Sequence, residues 1–416
     1  MLLTRISQGF IMKLQRTLLQ FSILGMLLNP LGSIFAENLA QKQLQSGHEL
    51  QFDSPEHFDL GAYALLSLPS AQGGVDKIYG NKLTVKSLQT SYGQMNLSFA
   101  DIFWLGGDLI GEPKQIIGSS VTPEITFQNN LMAFDKYKDY IPAVLIVYSN
   151  VINDVQKFMD TGSTLAVPDK YNYEYNKATG GWGGAAGSLL KSGLYLKLAQ
   201  YNYDHFGDNA VKSYITGHTL ALEYASKATN AEELKYAYFV EGYADHFLTD
   251  LFATGHSRTP RVEIVNYCAN LGQGPASFLT KLMHDQDGNT GLTLVNGKGE
   301  TWFGTGDENF YTPANKENKL RALSVVQQSV DQVYNAYMSK NANTATNIVE
   351  MKKVMPDVEA TANLVQNTTA FPPLYKVVKG TDGSLIINEY DAKTKSYHQL
   401  KCLSSAAAAA WNYVFN

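Results

Sequence analysis

Cysteine is scarce in this chain of 416 residues, which contains only Cys268 and Cys402. Two cysteines cannot form a disulfide framework or a cysteine-ligated zinc cluster, so any metal site must be built from histidine and carboxylate side chains. The two residues could pair with each other or remain free. Positive charge is also limited, since 33 Lys and Arg stand against 38 Asp and Glu. We therefore expect no broad basic surface that holds a nucleic-acid backbone.

The N-terminus has the residue order of a secretory signal peptide. Lys13 and Arg16 precede an apolar stretch over 18–28, and small residues end at Ala36, with Met12 as a candidate start. The apolar stretch is too short to span a bilayer, and no cysteine follows it to carry a lipid anchor. A buried N-terminal helix is the alternative. Cleavage after Ala36 would remove three positive charges, lower the formal net charge from −5 to −8, and release a secreted or periplasmic protein over 37–416.

Helical patterns dominate the rest of the chain. Of the whole sequence, 44% is hydrophobic, which is enough to fill a large core. Thr229 and Glu232 form a capping box before a helix that runs to about Phe252. Apolar residues at helical spacing predict another helix over 319–338. Residues 375–390 have the pattern of a β-hairpin. The predicted fold is mainly α: a multi-helix domain over 37–340 and a smaller, β-containing C-terminal module over 341–416.

Glycines over 180–187 surround Trp182. No strand or Lys-Ser/Thr pattern accompanies them, so we interpret the segment as a mobile loop and not as a phosphate cradle. Tyr171, Tyr173, Tyr175 and Trp182 could contact a choline group by cation–π interaction or enter a membrane surface. Ordinary surface packing is the simpler explanation in a chain with 25 tyrosines.

The segment over 241–256 carries the strongest indication of chemistry. His246 and Asp250 are four residues apart, so on a helix they lie on one face, at the spacing by which two side chains share a metal ion. Gly255 lets the chain turn, so that His256 can approach the same site from another direction. Taken alone, the segment fits two interpretations equally well. One is a metal site, and the other is a helical His–Asp pair with an unrelated loop histidine. Other candidate ligands in polar contexts are Asp108, His205, His284 and Asp287. Such sets on neighbouring helices favour a site with several metal ions, which suits hydrolysis.

The order His246-Phe-Leu-Thr-Asp250-x5-His256 resembles the His-Tyr-x-Gly-Asp-x5-His signature of the zinc-dependent phospholipase C and P1 nuclease superfamily. The flanking Asn202-x-x-His205-Phe-Gly and Gly255-His256-Ser-Arg258-Thr-Pro260-Arg261 are similar to the Legionella and Pseudomonas fluorescens type of secreted phospholipase C. The resemblance covers the chain from His48 to residue 340 and implies two or three zinc ions.

The resemblance also assigns ligands by position. The first zinc set is Asp108, His205, His246 and Asp250. The second contains His256 and His284, with Asp287 as the nearest substitute for a family glutamate at the position of Gly288. A third ion would take His57, or its rival His48, together with Asp250. The chain departs from the family pattern at Thr254, where a proline is usual, and in having no N-terminal Trp near Glu37.

Asp108 is the predicted catalytic residue, which would orient or deprotonate the attacking water. Arg258 and Arg261 could clamp the substrate phosphate, or they could be structural salt-bridge partners of the acidic groups nearby. His218 lies within a predicted helix and is expected to be a packing histidine.

The resemblance predicts an exported zinc phospholipase C that hydrolyses the glycerol-side phosphodiester of glycerophospholipids such as phosphatidylcholine. Its products would be diacylglycerol and a phosphorylated head group, and its partner a phospholipid at a membrane surface. One alternative is a P1-type zinc nuclease, which the negative net charge disfavours. Another is a non-catalytic, zinc-stabilised lipid-binding or adhesin-like protein. The chain retains nearly every ligand type of the family pattern, including Asp108, so the non-catalytic protein is the weakest alternative.

Overall fold

The computed structural model describes residues 53–85, 97–161, 168–306 and 309–406. The expected signal peptide, its cleavage point and His48 lie outside the described residues. Helices dominate, and the strands form small antiparallel sheets, so the predicted mainly α fold with a small β-containing C-terminal part is confirmed. None of the described helices combines the length and apolarity needed to cross a bilayer.

The helices that precede the central pair are α1 (Asp53–Tyr63), α2 (Phe99–Leu105), α3 (Pro123–Lys136), α4 (Ile141–Thr161), α5 (Pro168–Ala178), α6 (Ala185–Leu190) and α7 (Leu194–Tyr201). The central pair is α8 (Gly207–Lys227) and α9 (Ala231–Asp250). The helices that follow are α10 (Thr254–Ser257), α11 (Arg261–Tyr267), α12 (Gln273–Thr290), α13 (Lys316–Ser339), α14 (Thr344–Val354), α15 (Val358–Asn363) and α16 (Val365–Thr369).

The strands pair with near neighbours in the chain. The first two sheets are β1 (Leu65–Pro69) with β2 (Val75–Tyr79), and β3 (Thr84–Val85) with β4 (Leu97–Ser98). The other two are β5 (Leu292–Val295) with β6 (Thr301–Gly304), and β7 (Tyr375–Lys379) with β8 (Leu385–Asp391) and β9 (Ser396–Gln399). The predicted hairpin over 375–390 is therefore confirmed.

Helix α9 forms the centre of the main core. Every residue from Ala237 to Asp250 is buried, because α8, α2 and α13 pack around the helix. A helix enclosed on all sides has to carry its polar groups in pairs or use them for function. The polar residues of its last two turns include His246 and Asp250, so the fold places both of these side chains in the interior.

The start of α9 differs slightly from the prediction. The capping residue is Asn230, whose side chain accepts a hydrogen bond from the Glu233 amide at 3.0 Å. The Glu233 carboxylate in turn accepts one from the Thr229 amide at 2.6 Å. The predicted box of Thr229 with Glu232 is therefore wrong by one residue, since Asn230 is an equally good cap and brings Glu233 within reach of the backbone. The predicted helix over 319–338 is confirmed as α13.

The C-terminal part shares its cores with the helical part. Met351 and Met355 pack into the main core around α8 and α13. Ile387 and Leu400 lie in a second cluster with residues of α11 and α12. A disulfide bond joins Cys268 to Cys402, with a Cα–Cα distance of 5.5 Å. The two cysteines therefore pair, and the bond fastens the C-terminal sheet to the helices that follow α9.

Candidate metal centre

The end of α9 delivers the first two candidate ligands. His246 and Asp250 project from its last turns, and α10 then carries His256 towards them. Gly255 lies within α10, and a Cβ atom at this position would come within 2.7 Å of the His284 carbonyl oxygen. The predicted role of Gly255 in a turn is thus refined, because the glycine permits a close approach between two ligand-bearing segments.

Asp250 lies at the centre of four imidazole rings. Its Oδ1 atom is 2.9 Å from Nδ1 of His256 and 3.5 Å from Nε2 of His57. Its Oδ2 atom is 3.0 Å from Nδ1 of His205 and 3.8 Å from Nε2 of His246. Among the described residues, no group donates a hydrogen bond of normal geometry to either oxygen. A fully buried carboxylate surrounded by imidazole nitrogens can serve as a metal ligand.

Asp108 joins the cluster from the loop after α2. Its oxygens lie 3.6 Å from Nδ1 of His205 and 3.9 Å from Nε2 of His246. The preceding Gly107 has a φ of +84°, and a Cβ atom there would be 2.8 Å from the His246 ring. Gly107 was not among the predicted functional residues. The pair Gly106-Gly107 directly before the aspartate was the available signal, since such pairs often mark close backbone approach.

Hydrogen bonds fix the tautomers of two histidines. Nδ1 of His246 donates to the Phe103 carbonyl oxygen at 3.0 Å, because a carbonyl can only accept. The Thr249 hydroxyl donates to the His246 carbonyl at 2.9 Å, so Nδ1 of His57 is the donor in their 2.8 Å contact. Both rings therefore turn an Nε2 lone pair towards Asp250. Such outer contacts set the orientation and basicity of metal-binding imidazoles.

His284 approaches from α12. Its Nδ1 atom lies 3.0 Å from the Asp285 carboxylate, which also binds the Lys281 ammonium at 2.8 Å. The ring centroids of His284 and His256 are 4.8 Å apart. The carboxylate beside His284 is therefore Asp285, and it orients the ring in the manner of a carboxylate–histidine–metal triad.

The partner of Asp287 is Arg258 and not the predicted metal ion. Its two oxygens accept hydrogen bonds from Nε and Nη2 of Arg258, each at 2.7 Å, and the pair is buried. Asp287 is absent from the groups of described side chains that could hold a metal ion, so its predicted role as a ligand is corrected to a buried ion pair with Arg258. This geometry favours the salt-bridge alternative for Arg258, whose Nη1 donates to the Asn367 carbonyl. Arg261 is also buried and donates to Thr280 at 2.6 Å, so neither arginine is positioned as the predicted phosphate clamp.

Within the described part of the chain, two groups of side chains could hold a metal ion, since the ligand atoms within each group lie within 4.8 Å of one another. The first group contains Asp108, His205 and His246, as the resemblance implied. The second contains His57 and Asp250, the predicted pair for a further ion, together with His246. His256 and His284 lie beside each other, and His256 contacts the Oδ1 side of Asp250. Nitrogen and oxygen donors without thiolates suit zinc and several other transition metals.

The electrostatics of the cluster favour the metal-binding protonation states of Asp250 and His246, whereas a metal ion would have to displace a proton from His205. Burial raises the pKa of Asp250, but the opposite effect of His205, His256 and His246 is larger. The pKa of Asp250 therefore lies well below its usual range. Burial and the charge of His57 lower the pKa of His246 well below its ordinary value. Burial lowers the pKa of His205, whereas Asp250 raises it to about 9. The centre thus holds an anionic carboxylate next to a neutral imidazole.

Access to the cluster is uneven. The side chains of Asp108 and His284 are 18% and 19% exposed, whereas those of His246 and Asp250 are fully buried. Solvent therefore reaches the centre from the side of Asp108 and His284. Burial raises the pKa of Asp108, although His205 and His57 oppose the effect. A carboxylate that is harder to ionise at the open side is suited to exchange a proton with a substrate or water.

The remaining histidine of the central helices has a structural role. His218 is fully buried, with Nδ1 2.7 Å from Glu241 and Nε2 2.9 Å from Oε1 of Gln332. Both ring nitrogens have protein partners, so the prediction of a packing histidine is confirmed.

Comparison with known proteins yields no match. No protein-family model, no curated protein and no solved structure matches the chain. The case for its function therefore depends on the arrangement of the residues described above.

Proposed function

We propose that the protein is a zinc-dependent phosphodiester hydrolase, and specifically a phospholipase C that acts on glycerophospholipids. The observation that carries the proposal is the position of Asp250, a buried carboxylate with imidazole nitrogens 2.9 Å from one oxygen and 3.0 Å from the other. Such a bridging carboxylate is typical of hydrolytic sites in which two metal ions hold both sides of a phosphodiester.

The donor set supports zinc as the metal. His205, His246 and Asp108 would hold one ion, and Asp250 would bridge it to an ion held by His256 and His284. His57 would hold a further ion through Nε2. When bound, zinc lowers the pKa of water and neutralises charge that develops on the phosphate oxygens. Imidazole and carboxylate donors without thiolates are those of catalytic zinc sites in hydrolases.

Asp108 has the clearest catalytic role among the residues of the chain. Its carboxylate is partly open to solvent, and burial raises its pKa above the ordinary value. These properties suit a group that orients the attacking water and accepts its proton. Asp250 and His246 are enclosed, so their proposed role is to bind metal.

A lipid substrate is favoured over a nucleic acid. The full chain has a formal net charge of −5. The two arginines closest to the ligands are committed to other partners, Arg258 to Asp287 and Arg261 to Thr280. A nuclease needs several cations to hold successive phosphates, whereas a single phosphodiester can be held at the metal centre alone. The proposal includes export of the protein, through the signal peptide expected over 1–36.

The test is release of phosphocholine from phosphatidylcholine by the purified protein. We expect release that is abolished by a chelator, restored by zinc and lost in His246→Ala. His398→Ala, an exposed histidine outside the cluster, is the matched control and should retain activity. Single-stranded nucleic acid is assayed in parallel. Cleavage of nucleic acid alone would transfer the assignment to a nuclease, and bound zinc without either activity would favour the structural-metal alternative.

A further inference from the structure

An exposed apolar tip lies between α5 and α7. We define the tip as residues 180–191, which comprise a glycine-rich turn and α6. Trp182 is 53% exposed and Leu190 is 67% exposed. The Trp182 amide donates to the Lys191 carbonyl oxygen at 3.0 Å, so the backbone of the turn meets the end of α6, which carries Leu190. In contrast, Tyr171 and Tyr175 are buried, so Trp182 is better placed for surface contact than these two predicted aromatics.

The buried side chain of Asn176 forms hydrogen bonds to both ends of the tip. Nδ2 of Asn176 donates to the Trp182 carbonyl oxygen at 2.8 Å, and Oδ1 of Asn176 accepts from the backbone amide of Gly193 at 2.6 Å. The Gly181 amide donates to the Asn176 carbonyl at 2.8 Å. The mobile loop predicted over 180–187 is corrected in part, since α6 begins at Ala185 and hydrogen bonds from Asn176 hold the turn that carries the exposed Trp182. A preformed surface loses little conformational entropy when it binds.

The segment that contains the tip carries positive charge only, opposite in sign to the net charge of the whole protein. From Tyr175 to Tyr203 the sequence contains no Asp or Glu, whereas the full chain has a formal net charge of −5. The charged residues of this stretch are Lys177, Lys191 and Lys197. Lys177 and Lys191 are exposed. A tryptophan and a leucine flanked by lysines match a lipid interface, where apolar groups enter the acyl boundary and ammonium groups meet phosphates.

We propose that the tip is the surface by which the protein binds a bilayer that contains anionic phospholipids. Trp182 and Leu190 would enter the interfacial region, and Lys177 and Lys191 would contact lipid phosphates. Two large apolar side chains with nearby positive charges give a weak, reversible attachment, which suits an enzyme that moves along a surface.

The position of the tip relative to the metal centre supports this proposal. Helix α7 (Leu194–Tyr201) begins three residues after the tip, and the short turn at its end carries His205. Eight helical residues span about 12 Å. Leu198 of this helix also packs near Gly111, just beyond Asp108. The tip is thus joined to the segment that carries His205 by one short helix and a turn. The benefit of a bilayer near the metal centre depends on the proposed phospholipase function, but binding of the tip to a bilayer does not.

Sedimentation with vesicles tests the proposal. Vesicles of phosphatidylcholine alone are compared with vesicles in which roughly one third of the lipid is phosphatidylglycerol. Metal-loaded and metal-stripped protein are both used, so that binding is measured with and without hydrolysis. The test variant is Trp182→Ala with Leu190→Ala, and the control is Leu320→Ala, which removes an equally exposed leucine from α13. We expect the double variant to bind the anionic vesicles about tenfold more weakly or worse, and the control to match the unaltered protein.

Hydrolysis of a short-chain phosphatidylcholine below its micelle concentration separates this proposal from the phospholipase assignment. The double variant should retain this activity, because the tip is outside the metal centre. Equal vesicle binding by the double variant and the unaltered protein would overturn the proposal, as would absence of binding by the unaltered protein. A change in oligomeric state without a change in vesicle binding would identify the tip as a self-association surface and overturn it also.

Discussion

Nδ1 of His57 donates a hydrogen bond to the hydroxyl of Thr249 at 2.8 Å, across 192 positions of the chain. Thr249 directly precedes Asp250, and its own proton goes to the backbone of α9. The hydroxyl therefore sets the ring of His57 with Nε2 towards the Asp250 carboxylate, 3.5 Å away.

Thr249→Val is expected to weaken metal binding at the His57 and Asp250 pair by about 10- to 100-fold, because loss of an outer hydrogen bond lowers affinity to that extent. Thr249→Ser keeps the hydroxyl and should bind as the unaltered protein does. Competition with a chromogenic chelator measures the affinity. Equal affinities for the valine and serine variants would show that the hydroxyl does not orient His57.

Gly107→Ala tests the close approach of the backbone to the cluster. The new Cβ atom would lie 2.8 Å from the His246 ring, and φ is +84°. We expect loss of metal and activity, and a decrease of about 1 kcal/mol or more in the free energy of unfolding. Gly73→Ala is the matched control, since Gly73 has a φ of +85° and no neighbour within 4 Å of the added atom. If both variants lost metal equally, backbone strain and not the contact would be responsible.

Asp285 and Asp287 are expected to respond differently to substitution. Asp287→Ala leaves the buried Arg258 guanidinium without its partner, which should lower the free energy of unfolding by about 3 to 5 kcal/mol. Asp285→Ala removes the group that orients His284, so it should weaken metal binding with a smaller effect on stability. Urea unfolding and metal titration separate the two effects. Loss of a bound ion from natively folded Asp287→Ala would restore Asp287 as a ligand.

The pair of His218 and Glu241 should make stability depend on pH. Burial lowers the pKa of His218, but Glu241 raises it more, so the folded pKa lies above the ordinary value of 6.5. The resulting stabilisation is complete below about pH 6.5 and is lost as pH rises through the folded pKa. The free energy of unfolding should therefore fall more steeply as pH rises above about 6.5 in the unaltered protein than in His218→Gln. Parallel curves for the two proteins would contradict this assignment.

Local sequence patterns predicted the centre of the site and the fold class. The four-residue spacing of His246 and Asp250 fixes their common helical face, and the apolar spacing over 319–338 predicts α13. Asp287 was assigned wrongly because its partner, Arg258, precedes it by 29 positions and meets it only through the packing of α12. The requirement for glycine at Gly107 likewise depends on a ring that comes from another helix. Such long-range contacts leave no periodic signal in the sequence.

The central claim is that Asp250 bridges metal ions held by separate sets of histidines. The most direct test is anomalous diffraction at the zinc edge from crystals of the zinc-loaded protein. We expect two or three anomalous peaks, with two of them about 3.5 to 4 Å apart on either side of the Asp250 carboxylate. A single peak bound to one of its oxygens, or no peak within the cluster of Asp108, His205, His246 and His256, would contradict the account.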